Sequence, residues 1–185
     1  KETSWSPAPE DVDANIATSQ TSANTALGNA ATAQTTATNA ATAATNAQNS
    51  ANTANSAISD MTSDDKITAQ EKQAMKTEWD SIVSEKTKND TQADAFSVSR
   101  TTYDSAYSTL STTIGTNLSD LTTTWDLGSG GGATLRAQFK DYYDARTDLL
   151  NAVSTKAKDL ANSAVSTAAS NAAALYVTQT AYNSY

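Results

Sequence analysis

Small and apolar residues recur along the first third of the chain in alternating steps of three and four. The series is Val12, Ile16, Ser19, Ala23, Ala26, Ala30, Ala33, Ala37, Ala40, Ala44, Ala47, Ala51, Ala54, Ile58 and Met61. This is the a/d spacing of a heptad repeat, kept for about seven heptads, and it predicts one long helix. The positions between are mainly Thr, Asn, Ser and Gln, and no charged residue lies between Thr18 and Ala57. A disordered threonine-rich tract would have no reason to hold this phase. Alanine favours helix, whereas Thr and Asn do not, so the helix is marginal unless its stripe is covered by another. Before it, Trp5-Ser6-Pro7-Ala8-Pro9 predicts an extended lead-in over residues 1–11, with Glu10 and Asp11 suited to a helix N-terminus.

The pattern changes at about Asp64. Large apolar residues replace alanine, and most of the charges appear here. Thr68-Ala69-Gln70-Glu71 is a capping box that opens a helix. Met75, Trp79, Ile82 and Val83 form its apolar face, and it is expected to end near Lys88-Asn89. A second helix is expected from about Thr91, with Ala93, Phe96, Tyr103, Tyr107, Leu110 and Ile114 inward, ending at Gly115-Thr116-Asn117. A loop then runs through Trp125 to Gly128-Ser129-Gly130-Gly131-Gly132. A third helix, from Ala133, carries Leu135, Phe139, Tyr142, Tyr143, Leu149, Leu150 and Val153. Three such helices make a small bundle with a core of Met75, Trp79, Ile82, Phe96, Tyr103, Leu110, Phe139, Tyr142, Leu149 and Val153. Beyond Val153 the stripe returns to the alanine style with Ala157, Leu160, Ala164, Thr167 and Asn171.

The expected fold is therefore all-α, with no β-sheet: long alanine-rich coiled-coil helices flanking a three-helix bundle. The divisions are a lead-in over 1–11, a coiled-coil helix over 12–62, the bundle over 63–153 and a second coiled-coil helix over 154–185.

Composition narrows the function. Only 38% of the 185 residues are apolar and 6% aromatic, so one compact core for the whole chain is not expected. The net charge is −8, which argues against nucleic acid and against an anionic membrane surface. No run approaches the ~18 apolar residues of a membrane span. The chain opens at Lys1 and stops at Ala181-Tyr182-Asn183-Ser184-Tyr185, and both ends read as cuts from a larger polypeptide or as processing sites.

Candidate chemistry is thin. With no His and no Cys, the usual general base and the thiolate ligands are missing, and no Gly-x-Ser-x-Gly elbow occurs. Gly128–Gly132 lacks the Gly-Lys-Ser/Thr ending of a phosphate loop, so it predicts a flexible reversal. Asp60, Asp64 and Glu71 have positions 1, 5 and 12 of a calcium loop, but Thr62 and Asp65 occupy a ligand and the turn-glycine position. These acids are instead expected to serve a helix junction. Asp141, Asp144 and Asp148, near Arg136, Lys140 and Arg146, are expected to be a solvated face. No enzyme activity and no cofactor or metal is expected.

Four stretches carry a resemblance. They are Ser63–Gln73 (SDDKITAQEKQ), Lys76–Asp80 (KTEWD), Thr101–Tyr107 (TTYDSAY) and Phe139–Asn151 (FKDYYDARTDLLN). In this order and spacing they resemble a helical module of tail fibre, tail spike and tail-tip host-specificity proteins of tailed phages and prophages. The match covers roughly residues 60–158 and departs from the pattern at Gly128–Gly132, which leaves the connection before the third helix open. The resemblance implies a virion tail component that forms a parallel homotrimer and spaces a distal receptor-binding end. Its partners would be itself, other phage tail proteins and a host cell-surface receptor, with no nucleic acid and no membrane insertion. The family carries no catalytic residue to transfer. On this reading the stripe from Val12 to Met61 is the oligomerisation core. Two alternatives concern function: a bulge that itself grips a receptor or glycan, signalled by exposed Trp125 or Tyr107, or a bacterial surface adhesin stalk. A third concerns architecture. The two alanine-rich stretches are similar in length, so they could close on each other as an antiparallel hairpin within one chain.

Overall fold

The computed structural model describes residues 9–182. The chain order is α1 (Pro9–Met61), β1 (Lys66–Ile67), α2 (Ala69–Ala95), α3 (Thr101–Ile114), β2 (Trp125–Asp126) and α4 (Gly131–Tyr182). Residues 1–8 of the expected lead-in lie outside the described residues, and 9–11 are already helical. Pro9 stands at the first helical position, where its missing N–H costs nothing, and Glu10 and Asp11 follow in the first turn.

The fold is all-α except for one element. β1 and β2 pair antiparallel over two residues, Lys66 with Asp126 and Ile67 with Trp125. The expectation of no β-sheet is corrected to that extent. A second correction concerns α2, which does not stop at Asn89. Asn89 is buried and its side chain is engaged inside the bundle. The helix continues to Ala95 and ends where Ser97 adopts φ +53° and Val98 N–H turns back to Ala93 O at 2.9 Å. Phe96 therefore lies in the connection, and α3 begins at Thr101 rather than Thr91.

Threonine fits α1 because its hydroxyl is turned inward. Thr18, Thr21, Thr32, Thr35, Thr38 and Thr45 each donate to the carbonyl four residues back, at about the same 3 Å. The polar group is thus satisfied by the helix itself.

The chain forms two compact units. The described part of the first is residues 9–38 with 155–182, and the second is Asn39–Ser154. α1 and α4 contribute to both. In the first unit the core is alanine: Ala23, Ala26, Ala30 and Ala37 on one helix and Ala157, Ala161 and Ala168 on the other are buried. In the second, Ala40, Ala51, Ala54 and Ile58 join Met75, Ile82, Tyr103, Leu110, Phe139, Tyr142, Leu149 and Val153 in one cluster, with Trp79, Phe96, Tyr107 and Trp125 packed against it. The aromatic unit thus begins at Asn39, not at 63, because the last turns of α1 supply one wall of its core. Here α4 runs antiparallel to α1, since Arg136 bonds Thr62 and Arg146 bonds Ala47.

The stripe from Val12 to Met61 was expected to face partner chains. In each unit it is covered by helix of its own chain. Ala44 is buried too, while Val12, Ile16, Ala33, Ala47 and Met61 are half-buried.

Candidate functional site

Two constellations in the aromatic unit bring together polar residues distant in sequence. The first closes the helix ends. Asp65 sits at φ +60°, a left-handed conformation that aspartate tolerates. This aims its carboxylate at the first turn of α4. Oδ2 accepts from Gly130 N–H at 2.9 Å and Oδ1 from Gly132 N–H at 2.8 Å. The amides of Gly130 and then Gly132 hold the Asp65 carboxyl below its ordinary range, with Arg136 assisting and burial opposing. A carboxylate at a helix N-terminus is favourable with the helix dipole. In return, Arg136 Nη1 donates to Thr62 O at 3.0 Å and to Thr62 Oγ1 at 2.9 Å, closing the end of α1. Gly132 is required there, because a Cβ would lie 2.2 Å from Thr62 O. The glycine run is therefore a fitted helix start rather than a flexible reversal. Leu127 N–H donates to Asp65 O at 2.9 Å, extending the short strand pair.

The acids of the calcium-loop comparison are placed around this junction. Asp64 Oδ1 accepts from Lys66 N–H, Glu71 closes the capping box by accepting from Thr68 N–H and Oγ1, and Asp60 is exposed.

The second constellation is a polar layer inside the core. Asn89 Nδ2 donates to Tyr103 Oη at 3.1 Å, Tyr103 Oη lies 3.1 Å from Tyr142 Oη, and Tyr142 Oη donates to Glu85 Oε1 at 3.0 Å. A phenol has one proton. Tyr142 commits its proton to Glu85, so Tyr103 donates to Tyr142, and the donors point in one direction toward Glu85. Arg146 Nη1 also donates to Glu85, while its Nη2 donates to Ala47 O at 2.6 Å, which ties α4 to α1 and α2 at once. The Arg146 guanidinium lies 4.8 Å from the Tyr143 ring centroid, and Tyr143 donates to Glu78. Burial, then the Glu85 charge, pushes the Tyr142 hydroxyl far above its ordinary value, and burial and Glu78 do the same to Tyr143. Both phenols therefore stay protonated and act as donors. The arrangement can orient and lock helices.

Arg146, expected beside a solvated face, and Asn89, expected at a helix end, are instead buried in this layer, while Glu85 and Glu78 carried no expectation, yet a signal for all four exists in the spacing. Tyr142, Arg146, Leu149 and Val153 step by four, three and four. Met75, Glu78, Ile82, Glu85 and Asn89 step by three and four in the same way. Charges standing in core positions of two helices are the mark of a register-setting polar layer. Of the predicted core, Met75, Ile82, Tyr103, Leu110, Phe139, Tyr142, Leu149 and Val153 are buried, and Trp79 and Phe96 are half-buried. Trp79 stacks on Tyr107 at 5.4 Å between centroids.

Asp141, Asp144 and Asp148 line a shallow groove of about 580 Å³ between α3 and α4, opposite Thr101, Thr102, Ser105 and Thr109. Asp144 pairs with Lys140.

The chain is 40% identical over 111 residues to a protein named "Tail fiber protein" from Enterococcus phage phiEF24C. The likeness is to a phage tail fibre. It takes in 60% of this chain and 6% of that protein, so the chain spans a small part of its relative's length. No protein-family description and no solved structure matches the chain.

Proposed function

We propose that this chain is a structural segment of a phage tail fibre, and that it holds and orients a receptor-binding end for attachment to the host. The observation that carries this reading is the 40% identity to a tail fibre protein, over a stretch that includes most of this chain. The fold agrees with a mechanical task. Two helices of 53 and 52 residues account for most of the chain, and the buried polar groups lock helices to one another. Its place would be the virion tail, its partners other tail proteins, and it is assigned no catalytic role. Tyr107 and Trp125 pack against the core, which favours spacing over glycan binding by the bulge.

Assembly into a homotrimer belongs to the same proposal. Burial of the alanine stripe by its own chain supports the hairpin reading of that stripe, so chain-to-chain contact falls to other surface. Immunogold electron microscopy of the parent phage with antibodies to residues 39–154 tests the assignment. Label on the tail fibres is expected, and label confined to another part of the virion would overturn it.

A further inference from the structure

In the alanine-cored unit, α4 carries two apolar stripes. The first, Ala157, Ala161, Ala164, Ala168, Asn171 and Leu175, is buried or half-buried within the chain. The second is Val165, Ala169, Ala172 and Tyr176. It again steps by four, three and four, one residue further on and so about 100° round the helix. All four residues are exposed, Val165 at 54% and Tyr176 at 72%. Large exposed apolar residues gather in this unit: Leu27, Leu160, Val165, Tyr176 and Val177 lie in it, and Val83 alone among those recorded lies in the other.

We propose that this second stripe is the surface through which copies of this chain associate. The inference rests on the proposed homotrimer and names the contact it would use. Three observations favour a second copy as the occupant. No charged residue lies between Leu160 and Tyr182, nor between Thr18 and Thr38 on the helix segment of the same unit, so nothing here selects a charged foreign partner. The chain as a whole carries −8, so two copies approach at least cost through this uncharged part. The stripe also has the heptad spacing that packs helix on helix, and α4 already packs its first stripe on an alanine-rich, uncharged helix of the kind a copy would bring. The stretch that carries the stripe and its exposed neighbours, residues 160–177, rises about 26 Å, so a copy laid along it makes a helix–helix contact nearly five turns long.

The chain has no cysteine, so single-cysteine variants report the contact cleanly. Ala172→Cys is expected to cross-link between copies with a short bis-maleimide, and Ser163→Cys, on the other side of α4, is not. In sedimentation equilibrium, Val165→Asp with Tyr176→Asp is expected to raise the dissociation constant by about a hundredfold, tenfold for each lost contact. The near-ultraviolet signal of the aromatic unit should stay unchanged. An oligomer that survives the double substitution, or equal cross-linking at Ser163→Cys and Ala172→Cys, overturns the stripe as the contact while the proposed trimer stands. A wild-type chain that remains single at every concentration overturns the trimer itself, and the stripe proposal with it.

Discussion

The two units use the same two helices and build their cores differently. Residues 39–154 bury Phe139, three tyrosines and several leucines and isoleucines against a polar layer, whereas the other unit buries alanine on alanine. Burying a methyl-sized group is worth about 0.8 kcal/mol, against about 1.5–3 kcal/mol for a large side chain. The aromatic unit also carries geometric constraints that alanine cannot supply. Arg146 must meet Glu85 and Ala47 together, and Asp65 must meet two amides of α4. Alanine layers fit several registers almost equally well. The lesson is that a continuous heptad stripe makes a helix long, while bulky and polar interruptions decide where it docks.

This comparison can be broken or sharpened by substitution. The largest effect is expected from Phe139→Ala, since the ring is fully buried. It should cost the aromatic unit about 3–5 kcal/mol in urea unfolding. If the units are energetically separate, amide exchange in residues 18–38 should change little, and equal loss of protection there would show that they unfold as one. Next comes Ala37→Asp, which places a carboxylate at a buried position of the alanine unit. A loss of about 2–3 kcal/mol is expected, read as faster amide exchange in 18–38 and 155–175 with the tyrosine and tryptophan signals intact. Slow exchange retained in both segments would mean the stripe is not a closed core.

Gly132→Ala should cost about 1–3 kcal/mol, because its Cβ would meet Thr62 O and the Asp65 carboxylate. Ala133, exposed one position on, is the control that should tolerate substitution. The smallest effect is a pH dependence. The Asp65 carboxyl is held below its ordinary range in the folded chain. Its stabilising contribution is therefore complete above the unfolded value of about 3.9 and is lost as pH falls through the depressed folded value. Asp65→Asn should flatten that acid limb in thermal unfolding, and an unchanged limb would assign it to other carboxylates.

Much of the helical layout was legible in the sequence, because it rests on local rules. The capping box at Thr68–Glu71 is present as read. The helix runs past the expected boundary at Asn89, because an asparagine in a helix resembles a stop until its partner, Tyr103, is known. The same holds for Glu85 and Arg146, which look like surface charges in a window and stand in the core when heptad phase is followed across it.

The sequence by itself determined that this chain is helical, that alanine stripes occupy both ends and that a bulky core lies between them. Those properties follow from propensity and from spacing within a few turns. Only the tertiary structure decided what covers the stripe, where the aromatic unit begins and how the helix ends are sealed. Each depends on residues far apart in the chain, 99 positions for Arg146 with Ala47 and 67 for Asp65 with Gly132, and no local pattern specifies such a meeting.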